Sequence, residues 1–203
     1  LDTALCEGCT ISYNELIGFC TLPMSIIIQA VYANHENTVI ANNTISKGSY
    51  GINVMGSNAQ VYGNDVNGSA VGIAVNGANI SVCDNTIYGS SQKIGLAVYG
   101  SEGTTGIVTR NDISYVDVEE ALHVGNNLDV YGNTISVDNY GNAIAIVGNY
   151  STVHNNKVKS SHDDAVTIYG NNDTVDNNII ITNTIILAIF IVNTSLSLCI
   201  FII

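Results

Sequence analysis

The chain has 203 residues, 17 acidic against 5 basic side chains, a formal net charge of −12, a single proline and no tryptophan. Such an acidic chain repels nucleic acid and anionic membrane surfaces, and its cations, Lys47, Lys93, Arg110, Lys157 and Lys159, form no patch along the sequence. With charged residues at only 11%, Asn, Ser, Thr, Gly and Tyr must cover the surface, as is typical of extracellular proteins. The chain starts without Met or a signal peptide, as a mature product or a fragment would.

Residues 1–37 carry Cys6, Cys9 and Cys20 and an irregular form of a pattern that is regular from residue 38 onward. The Cys6/Cys9 pair is a CxxC, but no second CxxC or matching His pair completes a zinc set. Ile11, Asn14 and Leu16 fit the later pattern, Ser25 to Ile28 read as a strand, and Pro23 sits at a turn between them. These residues are expected to form a degenerate first coil.

From Asn43 a single asparagine recurs, at Asn43, Asn64, Asn85, Asn111, Asn133, Asn156 and Asn178, spaced 21, 21, 26, 22, 23 and 22 residues apart. Three residues before each stands Val or Ile, and two residues after each stands Val or Ile again. Eight to ten residues further on a small residue opens an alternating apolar pair, as in Gly72-Ile73-Ala74-Val75 and Ala143-Ile144-Ala145-Ile146. Alternation of this kind reads as a short strand with one buried face, so each period holds at least two β segments and no helical spacing. A fixed period of this length means stacked units that bury a common core. Stacked strands lie roughly 4.7–4.9 Å apart, which places the recurring Asn side chains one above another at a corner. There they can bond to each other, as stacked amides do in cross-β assemblies.

The repeat, as in AQVYGNDVNGSAVGIAVNGANISVCDNTI, resembles the right-handed parallel β-helix repeats of pectate-lyase-like proteins and of many secreted surface proteins. The resemblance implies an all-β parallel β-solenoid, expected here as one domain over 1–203 with about eight coils of roughly 22 residues. It says little of activity, because that fold carries lyases, hydrolases, epimerases, adhesins and sheath proteins.

The middle coils add three features. The coil containing Ser91 to Thr105 has the longest insertion and is expected to bulge outward. Carboxylates gather before the second strand of later coils, at Asp117, Glu119, Glu120, Asp138, Asp163 and Asp164, with His162 beside them. Glu119-Glu120 and Asp163-Asp164 are equivalent positions two coils apart, roughly 9–10 Å, a separation open to glycoside hydrolysis or to weak calcium binding. SHDDAV resembles the double-Asp motif of polygalacturonases, but no His-containing motif or basic clamp follows in the next coil. The expectation is no enzyme, no cofactor and no built metal site. Tyr62 and Tyr131 share an outward column with Cys83 and His154, and Tyr99 and Tyr169 share another. Such columns could stack on sugars or on a neighbouring rod. Sequons at Asn42, Asn67, Asn79, Asn149, Asn172 and Asn193 are compatible with secretion.

Residues 179–203 form an apolar end, read as the last coil rather than a membrane span. Asn183 and Asn193 interrupt it, and no Lys or Arg flanks it. Leu198 is expected on the inward Val column and Phe201 at the ladder position, leaving Phe190, Ile200 and Ile202 facing outward as assembly contacts. Cys83 and Cys199 fall in one outward column too far apart to pair, so the odd cysteine count leaves a thiol among Cys6, Cys9, Cys20, Cys83 and Cys199 for another chain or unpaired. Solenoids normally end in a polar capping unit, and strand edges left open are templates for further pairing. Together these features resemble the adhesin-like and sheath-forming β-helix proteins of archaeal methanogens. They imply a self-associating extracellular or cell-surface structural protein, with a carbohydrate-binding or polysaccharide-degrading β-helix as the alternative.

Overall fold

The computed structural model describes residues 8–17, 29–182, 189–191 and 196–202, with no side-chain description for 29–30, 91–92 and 189–202. The backbone winds into an all-β parallel solenoid of about seven turns, roughly 22 residues each. Every strand pairing among the described residues is parallel, and all but two keep one register throughout. The strands fall into three sheets. The first holds short strands such as Val39–Ala41, Gln60–Tyr62 and Ser81–Cys83. The second and third run together in the early turns as long bent strands, Thr44–Met55, Asp65–Gly77, Thr86–Gly100 and Asp112–Val124. In later turns they separate, as in Thr134–Val137 followed by Asn142–Ile146. The sequence frames mark the first and third sheets, and the second is carried by the Val or Ile two residues after each ladder Asn.

The core is the set of inward columns, among them Ile40, Val61, Val82, Val108, Val130, Val153 and Val175 from the first sheet, all fully buried. A single turn exposes both edges of its apolar stripe, so the burial exists only in the stack.

The recurring asparagines are buried at the corner between the first and second sheets. In each but the last, Asn178, Nδ2 donates to Oδ1 of the Asn one turn on, as Asn64 does to Asn85 at 2.9 Å and Asn133 to Asn156 at 2.9 Å. The backbone N–H of each donates to the same oxygen, as in Asn111 to Asn133 at 2.9 Å. Nδ2 also donates to a carbonyl of the preceding turn, as in Asn111 to Val82 at 3.0 Å. Asn14 joins the ladder through Asn43 Oδ1, so the expected first coil is real.

Residues immediately before the ladder positions turn left-handed: Asn42, Gly63, Asp84, Gly132, Asn155 and Asn177, with Tyr13 and Arg110 as bulkier exceptions. Gly and Asn tolerate that region best. A second constraint is the small-residue column Gly51, Gly72, Gly95, Ala121, Ala143 and Ala165. A Cβ on Gly95 would sit 2.5 Å from the Ala121 carbonyl oxygen and 2.7 Å from the Tyr115 ring. Tyr115 is buried beneath these glycines, and burial alone pushes its phenol above the ordinary tyrosine range.

Three expectations change. The second strand of the first coil is Gln29–Ala33, with Val31 opposite Ile52 and Ala33 opposite Val54; Ser25 to Ile28 and Pro23 lie outside the described residues. The insertion is not one bulge. The offset between neighbouring turns is 21 at Asn67/Tyr88 and 23 at Val71/Ile94, then 23 at Gly77/Gly100 and 26 at Ser81/Ile107. Two residues are absorbed within the long strand and three in the turn at 101–105, because sheet hydrogen bonding tolerates a local irregularity better than a wide loop. At the apolar end Leu198 does stand opposite Val175, but the register shifts between Asp176 and Asn178. Ile200, not Phe201, therefore meets Asn178, and Ile202 meets Ile180. The pairing of the expected assembly contacts Ile200 and Ile202 is thus one place off the expected frame. The backbone of Phe190 pairs with that of Thr167.

Replacing Asn111 by Ala should strip the buried Asn85 N–H of its acceptor, and take one acceptor from Asn85 Nδ2 and one donor from the Val82 carbonyl. We expect a loss of at least about 2 kcal/mol in urea denaturation. Asn58→Ala, in an exposed amide pair with Asn37 and Asn79, should cost well under about 1 kcal/mol.

Candidate functional site

Three surface regions hold the side chains singled out by the sequence. The first is the acidic row along the edge between the second and third sheets. Its carboxylates are engaged within the solenoid. Asp117 accepts from Asn139 Nδ2 at 2.8 Å and from the Tyr140 N–H at 3.4 Å. Asp138 pairs with Lys159 at 2.9 Å, and Asp163 accepts from the Gly141 N–H at 2.6 Å. Glu120 pairs with His123, whose ring lies 5.0 Å from that of Tyr99. His162 packs beside Tyr140 at 5.7 Å.

The register places Glu120 opposite Asn142, and Ile144 opposite Val166, so Asn142 separates Glu120 from Asp164 in the outward column. The expected two-turn spacing holds, with an amide standing between the two acids. Burial, and then the neighbouring Asp163, push the Asp164 carboxyl up. Among the described residues no three His, Cys, Asp or Glu side chains are placed to hold a metal ion. The calcium candidates Glu119, Glu120, Asp163 and Asp164 are split between Glu119 on the surface, Glu120 on His123, Asp163 on backbone, and a half-buried Asp164.

The second region is the outward face of the first sheet. Tyr62, Cys83, Thr109, Tyr131, His154, Asp176 and Cys199 follow one another in a single column, as the spacing required. Five strand spacings, roughly 24 Å, separate Cys83 from Cys199, so the two cannot pair within a chain. Tyr131 and His154 stack at 5.3 Å, and His154 Nε2 lies 2.9 Å from Asp129. Arg110 holds Asp84 through two 2.7 Å bonds, and this pairing keeps the Asp84 carboxyl below the usual range. Cys83 is a free, half-buried thiol whose pKa is raised by burial first, with Asp84 adding to it. Cys6 and Cys20 lie outside the described residues, and with them the partner of Cys9.

The third region is the corner between the third and first sheets, which the sequence reading passed over. Here a second amide column stands at the surface, with Asn37, Asn58, Asn79, Asn127 and Asn172 all in left-handed backbone. The signal was present: each lies six residues before a ladder Asn. In the turn before Asn156 this place is taken by Tyr150.

Just inside this corner, Asp173 is only 3% exposed. Its Oδ1 accepts the Ser151 N–H at 2.8 Å, while Oδ2 has no hydrogen-bond partner. Burial pushes its carboxyl up, partly countered by the Ser151 bond.

The family pattern "Right handed beta helix region" matches residues 26–185. That is most of the chain, and the protein belongs to this family of right-handed β-helix proteins. No curated protein and no solved structure shows significant similarity to it. No helix among the described residues is long and apolar enough to cross a membrane.

Asp173 gives a pH prediction. A carboxyl whose folded pKa lies above its unfolded value favours folding when protonated. That contribution is complete below the ordinary Asp pKa and is lost as pH rises through the folded value. Asp173→Asn keeps the acceptor for Ser151 and removes the buried charge. It should be more stable than the wild type at pH 7 by about 1 kcal/mol, with the gap closing toward pH 4, as read by urea midpoints.

Proposed function

We propose that the protein is a structural element of the cell exterior, a stiff β-solenoid rod that associates with copies of itself into a layer, sheath or fibril. The observation that carries this reading is the buried amide ladder, which runs without a break from Asn14 to Asn178. Bending or sliding one turn against the next would break up to three hydrogen bonds at every corner. A rod of this kind transmits force and holds spacing.

Other features support self-association. Apolar side chains stand exposed on every face: Ile107 on the first sheet, Val116 and Ile179 on the second, Val147 and Tyr169 on the third. Exposed apolar surface of this sort marks interaction sites. The thiol of Cys83 faces outward where a covalent link between rods could form. The low charge and the Asn-rich surface suit an extracellular setting. The acidic row, in contrast, spends most of its carboxylates on its own turns, which is what a structural edge does.

Negative-stain electron microscopy of purified protein, with and without reductant, should show filaments, sheets or regular arrays. Cys83→Ser should remove covalent oligomers from non-reducing gels and leave noncovalent arrays intact. Monomeric particles alone under both conditions would overturn the reading. Turnover of acidic polysaccharide with added calcium, lost in Asp163→Ala and Asp164→Ala, would replace it with the enzymatic one.

A further inference from the structure

We propose that the corner between the third and first sheets carries a binding groove for a neutral, hydroxyl-rich ligand, a sugar chain, centred on Tyr150. The groove is open, about 320 Å³, and is lined by Glu102, Gly103, Asn126, Asn127, Asn149 and Tyr150. It lies across a corner from the acidic row and shares none of its residues.

A cleft lined by His35, Glu36, Met55 and Gly56 opens at the same corner in the regular turns, and two departures from the repeat set this groove apart from it. Three inserted residues in the turn at 101–105 lift Glu102 and Gly103 into one wall, where the earlier turns have no counterpart. Two turns on, Tyr150 stands where five other turns have Asn. It keeps the left-handed backbone, at φ 61, and its side chain is 65% exposed. A bulky residue in that region is an outlier and costs of order 1 kcal/mol or more, where Asn is tolerated. An aromatic ring that is neither buried nor conformationally favoured does nothing for the fold.

The polar groups between these walls are fixed and unspent. Asn126 Oδ1 is held by the Asn149 N–H at 2.8 Å, and Asn149 Oδ1 by the Asn171 N–H at 2.7 Å, so both amide planes are set by backbone. The Asn126 Nδ2 group, the whole Asn127 side-chain amide, the Glu102 carboxylate and the Tyr150 hydroxyl have no partner among the described residues. Fixed amides and a carboxylate beside an exposed aromatic face give donors and acceptors for vicinal hydroxyls and a platform for the apolar face of a pyranose ring. Pockets with a few convergent polar groups of this kind are the usual form of small-ligand sites. The net charge of −12 and Glu102 within the wall select a neutral ligand over a polyanion. The groove holds no second carboxylate beside Glu102, so it binds without hydrolysis.

The test is affinity electrophoresis of the full chain in native gels containing glucomannan, galactomannan, mixed-linkage β-glucan or polygalacturonate, followed by calorimetry with mannohexaose and cellohexaose. Retardation by at least one neutral polysaccharide is expected, and none by polygalacturonate. Tyr150→Asn restores the residue of the other turns, so its melting temperature should equal or exceed the wild type while affinity falls at least tenfold. Tyr150→Phe should keep most of the binding, and Asn127→Ala should lose several-fold. Absence of binding to every neutral probe, binding to polygalacturonate alone, or unchanged affinity in Tyr150→Asn would overturn the proposal. None of these readouts depends on whether the rods assemble.

Discussion

A buried amide cannot be left half bonded, and in this solenoid the partner each ladder Asn needs is another Asn one turn away. Each Oδ1 accepts both the backbone N–H and the Nδ2 of its predecessor, as Asn43 is held by Asn64 at 3.0 and 2.9 Å. The interaction therefore measures distance along the chain. A residue inserted beside a ladder corner would leave a buried donor and acceptor unmatched. The spacing therefore ranges from 21 to 26 residues while the ladder stays intact, because extra residues enter away from that corner. That is where they are found, within the strand after Tyr88 and in the turn after Gly100.

The same requirement selects the residues around the corner. The chain must reverse sharply before each ladder Asn, so the preceding residue goes left-handed and is mostly Gly, Asn or Asp. Arg110 takes that conformation and offsets its cost with a two-point contact to Asp84 in the previous turn. On the far side, the close approach of neighbouring turns admits only Gly or Ala at 51, 72, 95, 121, 143 and 165. Where the column is Gly, the spare volume is filled from elsewhere, by Tyr115 lying under Gly95 and Gly72. Rigid repetition thus leaves the outward columns as the part of the sequence free to vary, and it is there that Tyr150, His123 and the acidic row depart from the pattern.

The solenoid was legible in the sequence because its period is enforced by side chains of one type at one spacing. The ladder, the inward Val/Ile columns, the outward Cys83 column and even Asn14 could be placed from offsets alone. What could not be read was anything decided by backbone slack. The apolar run from Ser25 to Ile28 is the stronger strand signal in the sequence, yet the pairing with Tyr50–Val54 is made by Gln29–Ala33, whose alternation is masked by Ala30 and Ala33. The Val/Ile column of the second sheet stood in the sequence, but whether it forms a strand of its own did not, because in the early turns it shares one long strand with the third sheet and in later turns it does not. The slip between Asp176 and Asn178 moved the pairing of Ile200 and Ile202 by one place, and no spacing in the sequence announces it. At the candidate groove, the column six residues before the ladder was open to inspection. Its one aromatic substitution gains meaning only once the inserted turn is seen standing opposite it.

That slip marks the end of the amide column. Opposite Asn178 stands Ile200, and isoleucine has no amide to pass on. Among the described residues the ruler that counts one turn against the next therefore stops at Asn178. The pairing of Asp173–Thr182 with Leu196–Ile202 is set by the backbone ladder, which tolerates the one-residue shift that a stacked amide would penalise.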